Sequence, residues 1–214
     1  MSVLICPSLM CADQLDLKNE INSLIKAGAD FMHIDVMDGV FVPNIQLGAG
    51  LMQAIKNGTG VPLDIHLMIE APHGKLGYFP IGEGDIVSVH YESTPHPARV
   101  ADGIRAKGAK ALLALNPGTP LSVFEDISDC FDGLLIMTVN PGYSGQKLIP
   151  KTIDKIRRAR LLYPDIIIEA DGNVSFTSAK EMVKAGASAL VCGTSSVFSK
   201  EFDYKTSIER LKEL

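Results

Sequence analysis

One junction recurs along the chain and constrains its fold more than any other feature. A helix-like run ends at glycine, a short linker follows, and an apolar, β-prone run begins: KAGADFMHID (26–35), AKGAKALLAL (106–115) and KAGASALVCG (184–193), with EGDIVSVH (83–90) as a looser copy. Glycine just past the last helical turn takes the left-handed conformation that closes a helix, and the run after it has the length of a strand. Repeated use of an α-to-β junction means strands separated by helices, hence a parallel sheet. Eight runs qualify as strands: Leu4–Ser8, Phe31–Asp35, Leu63–Met68, Asp85–His90, Lys110–Leu115, Gly133–Met137, Ile166–Ala170 and Ala189–Gly193. Helical stretches fall between most of them, for example Leu17–Ala27, Pro97–Lys107, Pro150–Leu162 and Thr177–Ala185. Eight such units in 214 residues predict an α/β fold of the (β/α)₈ TIM-barrel type, one domain spanning 1–214, with an open doubly wound sheet as the rival. The third unit is weak, because HGKLGYFPIGEG (73–84) puts Gly and Pro where a helix belongs.

Composition narrows the partners. Twenty basic and twenty-five acidic residues give a net charge of −5, which argues against nucleic acid or an anionic membrane as the main partner. No apolar run reaches the length of a membrane span, and MSVLICPSLM lacks the basic start of a signal peptide. Cys6, Cys11, Cys130 and Cys192 form no C-x-x-C pair, so reduced thiols in a cytoplasmic protein are expected.

In a barrel the chemistry gathers at the carboxyl ends of the strands. Ser8, His33, Asp35, His66, His90, Asn116 and Asp171 all fall at or near such ends. Side chains alternate along a strand, so His33 and Asp35 share the barrel interior while Ile34 and Val36 face the helices. A lone strand-end His is commonly a satisfied polar residue, and a lone Asp a helix cap. Two His and two Asp converging from three strands are harder to explain that way, since buried charge is costly unless paired or metal-bound. His33, Asp35, His66 and Asp171 therefore form a plausible set of ligands for one divalent metal. Glu169 has the parity of Asp171 but lies deeper, as an internal hydrogen-bonded carboxylate. Two loops, DGN (171–173) and GTSS (193–196), occupy the places where barrels bind phosphate through backbone N–H groups, and NPGYSGQK (140–147) suits a loop that closes over a ligand.

The segments PSLMCAD (7–13), HIDVMDGVFVPN (33–44), HLM (66–68), LNPGTP (115–120), MTVNPGYSGQ (137–146), ADGN (170–173) and CGTS (192–195) together resemble the ribulose-phosphate 3-epimerase family, in order and over almost the whole chain. The resemblance implies a ribulose-phosphate-binding barrel whose one divalent transition metal ion (Zn, Fe, Mn or Co) is held by His33, Asp35, His66 and Asp171. Asp35 and Asp171 would be the acid–base pair, moving the proton beside a ketone through an enediolate. Ser8, His66, Met37, Met68 and Met137 would line the substrate. Gly142, Tyr143, Ser144, Gly145, Gly172, Asn173, Gly193, Thr194 and Ser195 would supply the loops around it and its phosphate. Asp38 would begin a loop in a structural role. The implied partner is a phosphorylated ketose, and the implied assembly a homo-oligomer, dimer or hexamer. Ribulose 5-phosphate and xylulose 5-phosphate are the expected pair. Met10, Cys11 and Thr194 look more like the branch acting on D-allulose 6-phosphate and D-fructose 6-phosphate, and Ser144 and Asn173 fit neither branch. A catalytically inactive sugar-phosphate-binding barrel is a further alternative. A decarboxylase or aldolase on a related barrel is disfavoured because Asp64-Ile-His66 stands where such enzymes place Asp-x-Lys.

Overall fold

A computed structural model describes residues 2–214 of the protein. Along them run β1 (Leu4–Pro7), α1 (Leu17–Lys26), β2 (Met32–Asp38), β3 (Ile45–Gln46), α2 (Ala49–Thr59), β4 (Leu63–Met68) and β5 (Ile86–His90). Then follow α3 (Pro97–Arg105), β6 (Lys110–Leu115), β7 (Gly133–Met137), α4 (Lys151–Leu162), β8 (Ile167–Asp171), α5 (Phe176–Ala185), β9 (Ala189–Cys192) and α6 (Tyr204–Lys212). The sheet order is β1-β9-β8-β7-β6-β5-β4-β2-β3, parallel throughout except for the β2–β3 pair. A single parallel bridge between Ser8 and His33 joins the first strand to the second and curls the sheet into a barrel. Helix and strand limits agree with the sequence reading to within a residue or two, save at β2. That strand runs on to Asp38 because the short antiparallel β3 pairs with Met37 and Asp38.

The recurrent junction folds as its glycines require. Gly28, Gly108 and Gly186 have φ of +92°, +83° and +112°, a region other residues adopt only with strain. The linkers after them do further work at the amino-terminal end of the barrel. Asp30 donates its N–H to the Ile5 carbonyl (3.0 Å) and accepts the Ile5 N–H on its carboxylate (2.8 Å). Asp132 does the same with Ala111 (2.8 Å each way), and Ser188, through its hydroxyl, with Ile168 (2.7 and 3.0 Å). Asp85 accepts the Leu63 N–H at 3.0 Å. Each residue precedes one strand and pairs the first backbone groups of a neighbouring one, groups that would otherwise be orphaned where the ladder ends. Lys212, Lys56 and Arg105 neutralise Asp30, Asp85 and Asp132 respectively.

Strand alternation does the rest. Ile34, Val36, Ile65 and Leu67 join the continuous apolar layer between sheet and helices, whereas Met37 and Met68 belong to a separate small cluster at the mouth. In the weak third unit the chain forms only two 3₁₀ turns, Pro72–Gly74 and Leu76–Tyr78, entered through Ala71 at φ +48°. A 3₁₀ stretch, Leu121–Cys130, likewise replaces an α-helix between β6 and β7.

Asp132→Ala is expected to cost about 1–3 kcal/mol, because the Ala111 N–H loses its acceptor. The check is a lowered urea midpoint at unchanged m-value. Activity per folded molecule should stay constant, since Asp132 lies at the end of the barrel away from the polar strand ends.

Candidate active site

Register brings the predicted residues together. In the β2–β4 ladder Asp35 is the direct neighbour of His66 and His33 of Asp64; in the β7–β8 ladder Met137 is the neighbour of Asp171. Donor atoms of His33, Asp35, His66 and Asp171 all lie within 4.8 Å of one another. The two imidazoles are fully buried and Asp35 nearly so, while Asp171 keeps part of its surface open to the mouth.

The contacts are directional. Asp35 Oδ2 accepts the Ser8 hydroxyl at 2.6 Å. Asp35 Oδ1 lies 3.3 Å from His33 Nε2 and 3.7 Å from His66 Nδ1. His66 Nδ1 is 3.4 Å from Asp171 Oδ2, yet it makes no hydrogen bond although it is fully buried. Behind this cluster, His33 Nδ1 bonds Asp64 and His66 Nε2 meets His90 Nε2 at 2.8 Å.

Three carboxylates thus crowd two imidazoles in a place that water scarcely reaches. Burial by itself depresses the pKa of His33, but Asp64 and Asp35 outweigh it and carry the imidazole well above its usual range. His66 is raised too, burial being offset by Asp171 and Asp35. Burial pushes Asp35 upward, and His33 and His66 reverse this and hold it far below the usual carboxylate range. The site concentrates negative charge that demands a positive counterpart. A divalent transition metal fits: two imidazole nitrogens and two carboxylates are a suitable donor set, and the buried His66 Nδ1 is left without a hydrogen-bond partner among them.

One pocket opens above these residues. Ser8, Asp35, Met37, Met68, Met137, Gly142, Tyr143, Ser144, Gly145, Asp171, Gly172, Asn173, Gly193, Thr194 and Ser195 all line it, with His33 and His66 beneath its floor. Met10, Cys11 and Gln146 line it as well; the first two were conspicuous in the sequence only as departures from the common pattern, and Gln146 only as part of a loop. The loop carrying Gly142 is tied down by Asn44, whose amide donates to the Gly142 carbonyl at 3.1 Å. Asn173 sits at φ +49° and donates its amide to the Gln146 carbonyl at 2.7 Å, linking two walls of the pocket.

Two residues need comment. Asp38 closes β2 rather than opening a loop, and its role is structural: it accepts the N–H groups of Val40, Phe41 and Glu70 at 2.9–3.0 Å and Lys75 at 3.1 Å. Glu169 is fully buried, but neither of its oxygens finds a hydrogen-bond partner, contrary to the sequence expectation. Burial, then the adjacent Asp64, raises its carboxyl well above the usual range.

Known proteins resemble this chain over almost its whole length. The chain is 42% identical to a ribulose-phosphate 3-epimerase of Bacillus subtilis over 97% of both chains. It is 37% identical to the Escherichia coli protein of the same name, over 98% of this chain and 94% of that one. Among solved structures, a 3-keto-L-gulonate-6-phosphate decarboxylase from Vibrio cholerae superposes with a TM-score of 0.72 at 9% identity, covering 100% of this chain and 97% of that one, a likeness of fold alone. The model of the ribulose-phosphate 3 epimerase family matches residues 4–198, and the chain belongs to that family.

Proposed function

We propose that the protein is a 3-epimerase that interconverts D-ribulose 5-phosphate and D-xylulose 5-phosphate. The observation that carries this reading is the convergence of His33, Asp35, His66 and Asp171 within 4.8 Å at the floor of a pocket. Epimerisation at carbon 3 breaks one C–H bond, leaves an enediolate, and forms a new C–H bond on the opposite face. Two carboxylates placed on either side of the carbon suffice, one accepting a proton while the other donates. Asp35 comes from β2 and Asp171 from β8, so they reach the reacting carbon from different walls. Ser8 holds Asp35 Oδ2 in place, and the methionines Met37, Met68 and Met137 exclude water without offering a competing proton donor. A divalent ion held by His33, Asp35, His66 and Asp171 would polarise the ketone and stabilise the developing oxygen charge. The loops at Gly172–Asn173 and Gly193–Ser195 line the pocket, and their backbone N–H groups and hydroxyls would hold the phosphate. Four free cysteines suit a reducing compartment such as the cytoplasm, and none of the described helices is long and apolar enough to cross a membrane.

A six-carbon substrate, D-allulose 6-phosphate, is the second reading, favoured by Met10, Cys11 and Thr194, which all line the pocket. Both ketoses share the reacting centre and differ in the tail. Proton NMR in heavy water with each sugar and added divalent metal separates them: the carbon 3 proton of the true substrate disappears as its epimer grows. Exchange with neither sugar in folded, metal-loaded protein defeats both.

Two further outcomes are expected. Asp171→Asn should lower turnover roughly 10²- to 10⁴-fold with the circular dichroism spectrum unchanged; near-normal turnover would remove Asp171 from the mechanism. Dialysis against a strong chelator should abolish epimerisation, and a divalent transition metal should restore it; full activity in metal-free protein would rule the ion out.

A further inference from the structure

His66 is backed by a chain of hydrogen bonds that none of the motifs above accounts for. Its Nε2 lies 2.8 Å from Nε2 of His90, the last residue of β5, and His90 Nδ1 lies 3.3 Å from Glu92 Oε2. Two imidazole nitrogens at that separation share one proton: one ring donates and the other accepts. Which does which is decided at the far end. Glu92 Oε1 accepts the Asn116 N–H at 3.1 Å and the Thr119 hydroxyl. Lys155 pins the loop that carries both, donating to the carbonyls of Asn116, Pro117 and Thr119 at 2.8, 2.9 and 2.6 Å. Burial raises the Glu92 carboxyl, but His90, Thr119 and backbone N–H groups outweigh this and bring it down to about 2. A carboxylate accepts only, so His90 must point Nδ1–H at Glu92 and leave Nε2 bare. His66 must then donate from Nε2, which leaves the lone pair on Nδ1, the atom that faces Asp35 and Asp171.

We propose that His90 and Glu92 are positioning residues that fix the tautomer of His66, keeping its Nδ1 free to bind the metal. This rests on the metal reading above and adds to it the direction of every proton behind His66. The ring of His90 is held for the task by full burial and by Phe41, whose ring centroid lies 4.7 Å away.

The sharpest consequence concerns Glu92→Gln, which has the same shape and the opposite effect on the chain. The Asn116 N–H must still meet an oxygen, so the glutamine amide turns its NH₂ toward His90 Nδ1. That nitrogen must now accept, the His90 proton moves to Nε2, His66 Nε2 must accept in turn, and the His66 proton comes to rest on Nδ1. Glu92→Ala forces no such reversal, because Glu92 is partly exposed and water can take its place as acceptor.

The test measures Co²⁺ affinity of wild type, E92Q and E92A by competition with a chelator, with thermal unfolding as a fold control. It is paired with long-range ¹H–¹⁵N correlation of the histidine rings in Zn²⁺-loaded wild type, which does not depend on either variant folding. Expected are a roughly 10- to 100-fold loss of Co²⁺ affinity in E92Q, a smaller loss in E92A, and His90 protonated on Nδ1 in wild type. E92Q that binds Co²⁺ as tightly as wild type, E92A as impaired as E92Q, or a wild-type His90 protonated on Nε2 each overturns the assignment. A wild type that takes up no Co²⁺ refutes the metal reading itself, which is a different result from wild-type binding that E92Q leaves intact.

Discussion

Buried negative charge is the constraint on which the rest of this structure depends. Asp35, Asp64 and Asp171 stand around two imidazoles that are fully out of water, at the mouth of a sheet whose other inward residues are mostly apolar. Such a cluster persists only if something positive sits within it and if every polar atom around it is aimed. The backing partners answer the second demand. Asp64 receives His33 Nδ1, so His33 Nε2 faces inward; the His90–Glu92 chain receives His66 Nε2, so His66 Nδ1 faces inward. The two imidazoles present different nitrogens to one point, and each does so because of what stands behind it.

The barrel divides its labour along the strands. At the amino-terminal ends, Asp30, Asp85, Asp132 and Ser188 satisfy the opening backbone groups of neighbouring strands, tasks of stability. At the carboxyl ends the same period-2 alternation delivers His33, Asp35, His66 and Asp171 to one spot. A one-residue slip between β2 and β4 would put Ile65 or Leu67 beside Asp35 and turn His66 toward the helices. Register is therefore part of the chemistry.

That alternation explains what could be read from residues alone. HIDVMD announces its inward face by its spacing, and the glycine-closed junctions announce the parallel sheet. Asp64 and His90 were visible as polar residues in strands, but their partners were not. His66 is the ladder neighbour of Ser88, so contact with His90 is diagonal, and it requires the β4–β5 offset that only the folded sheet supplies. Glu92 and its anchors at Asn116, Thr119 and Lys155 are spread over 64 positions of sequence and meet only through three separate loops and helices. The extension of β2 is not legible for a related reason: β3 is two residues long, too short to leave a periodic signal. Parity places Glu169 in the interior, yet no sequence pattern shows that its oxygens lack partners.

The two carboxylates proposed as the acid–base pair, Asp35 and Asp171, are held in contrasting ways. Asp35 is fixed through its side chain, by Ser8 on one oxygen and by the imidazoles on the other. Asp171 is fixed through its backbone. Its carbonyl accepts both the N–H and the hydroxyl of Thr138, at 2.7 and 2.9 Å. The next residue, Gly172, turns at φ +116° in a space where a Cβ would approach Val139 to 2.5 Å. The main chain around Asp171 is thus tightly held, and its carboxylate is the more exposed of the two. Asp171 is therefore anchored by its main chain on the more open side of the pair, and Asp35 by its side chain on the buried side.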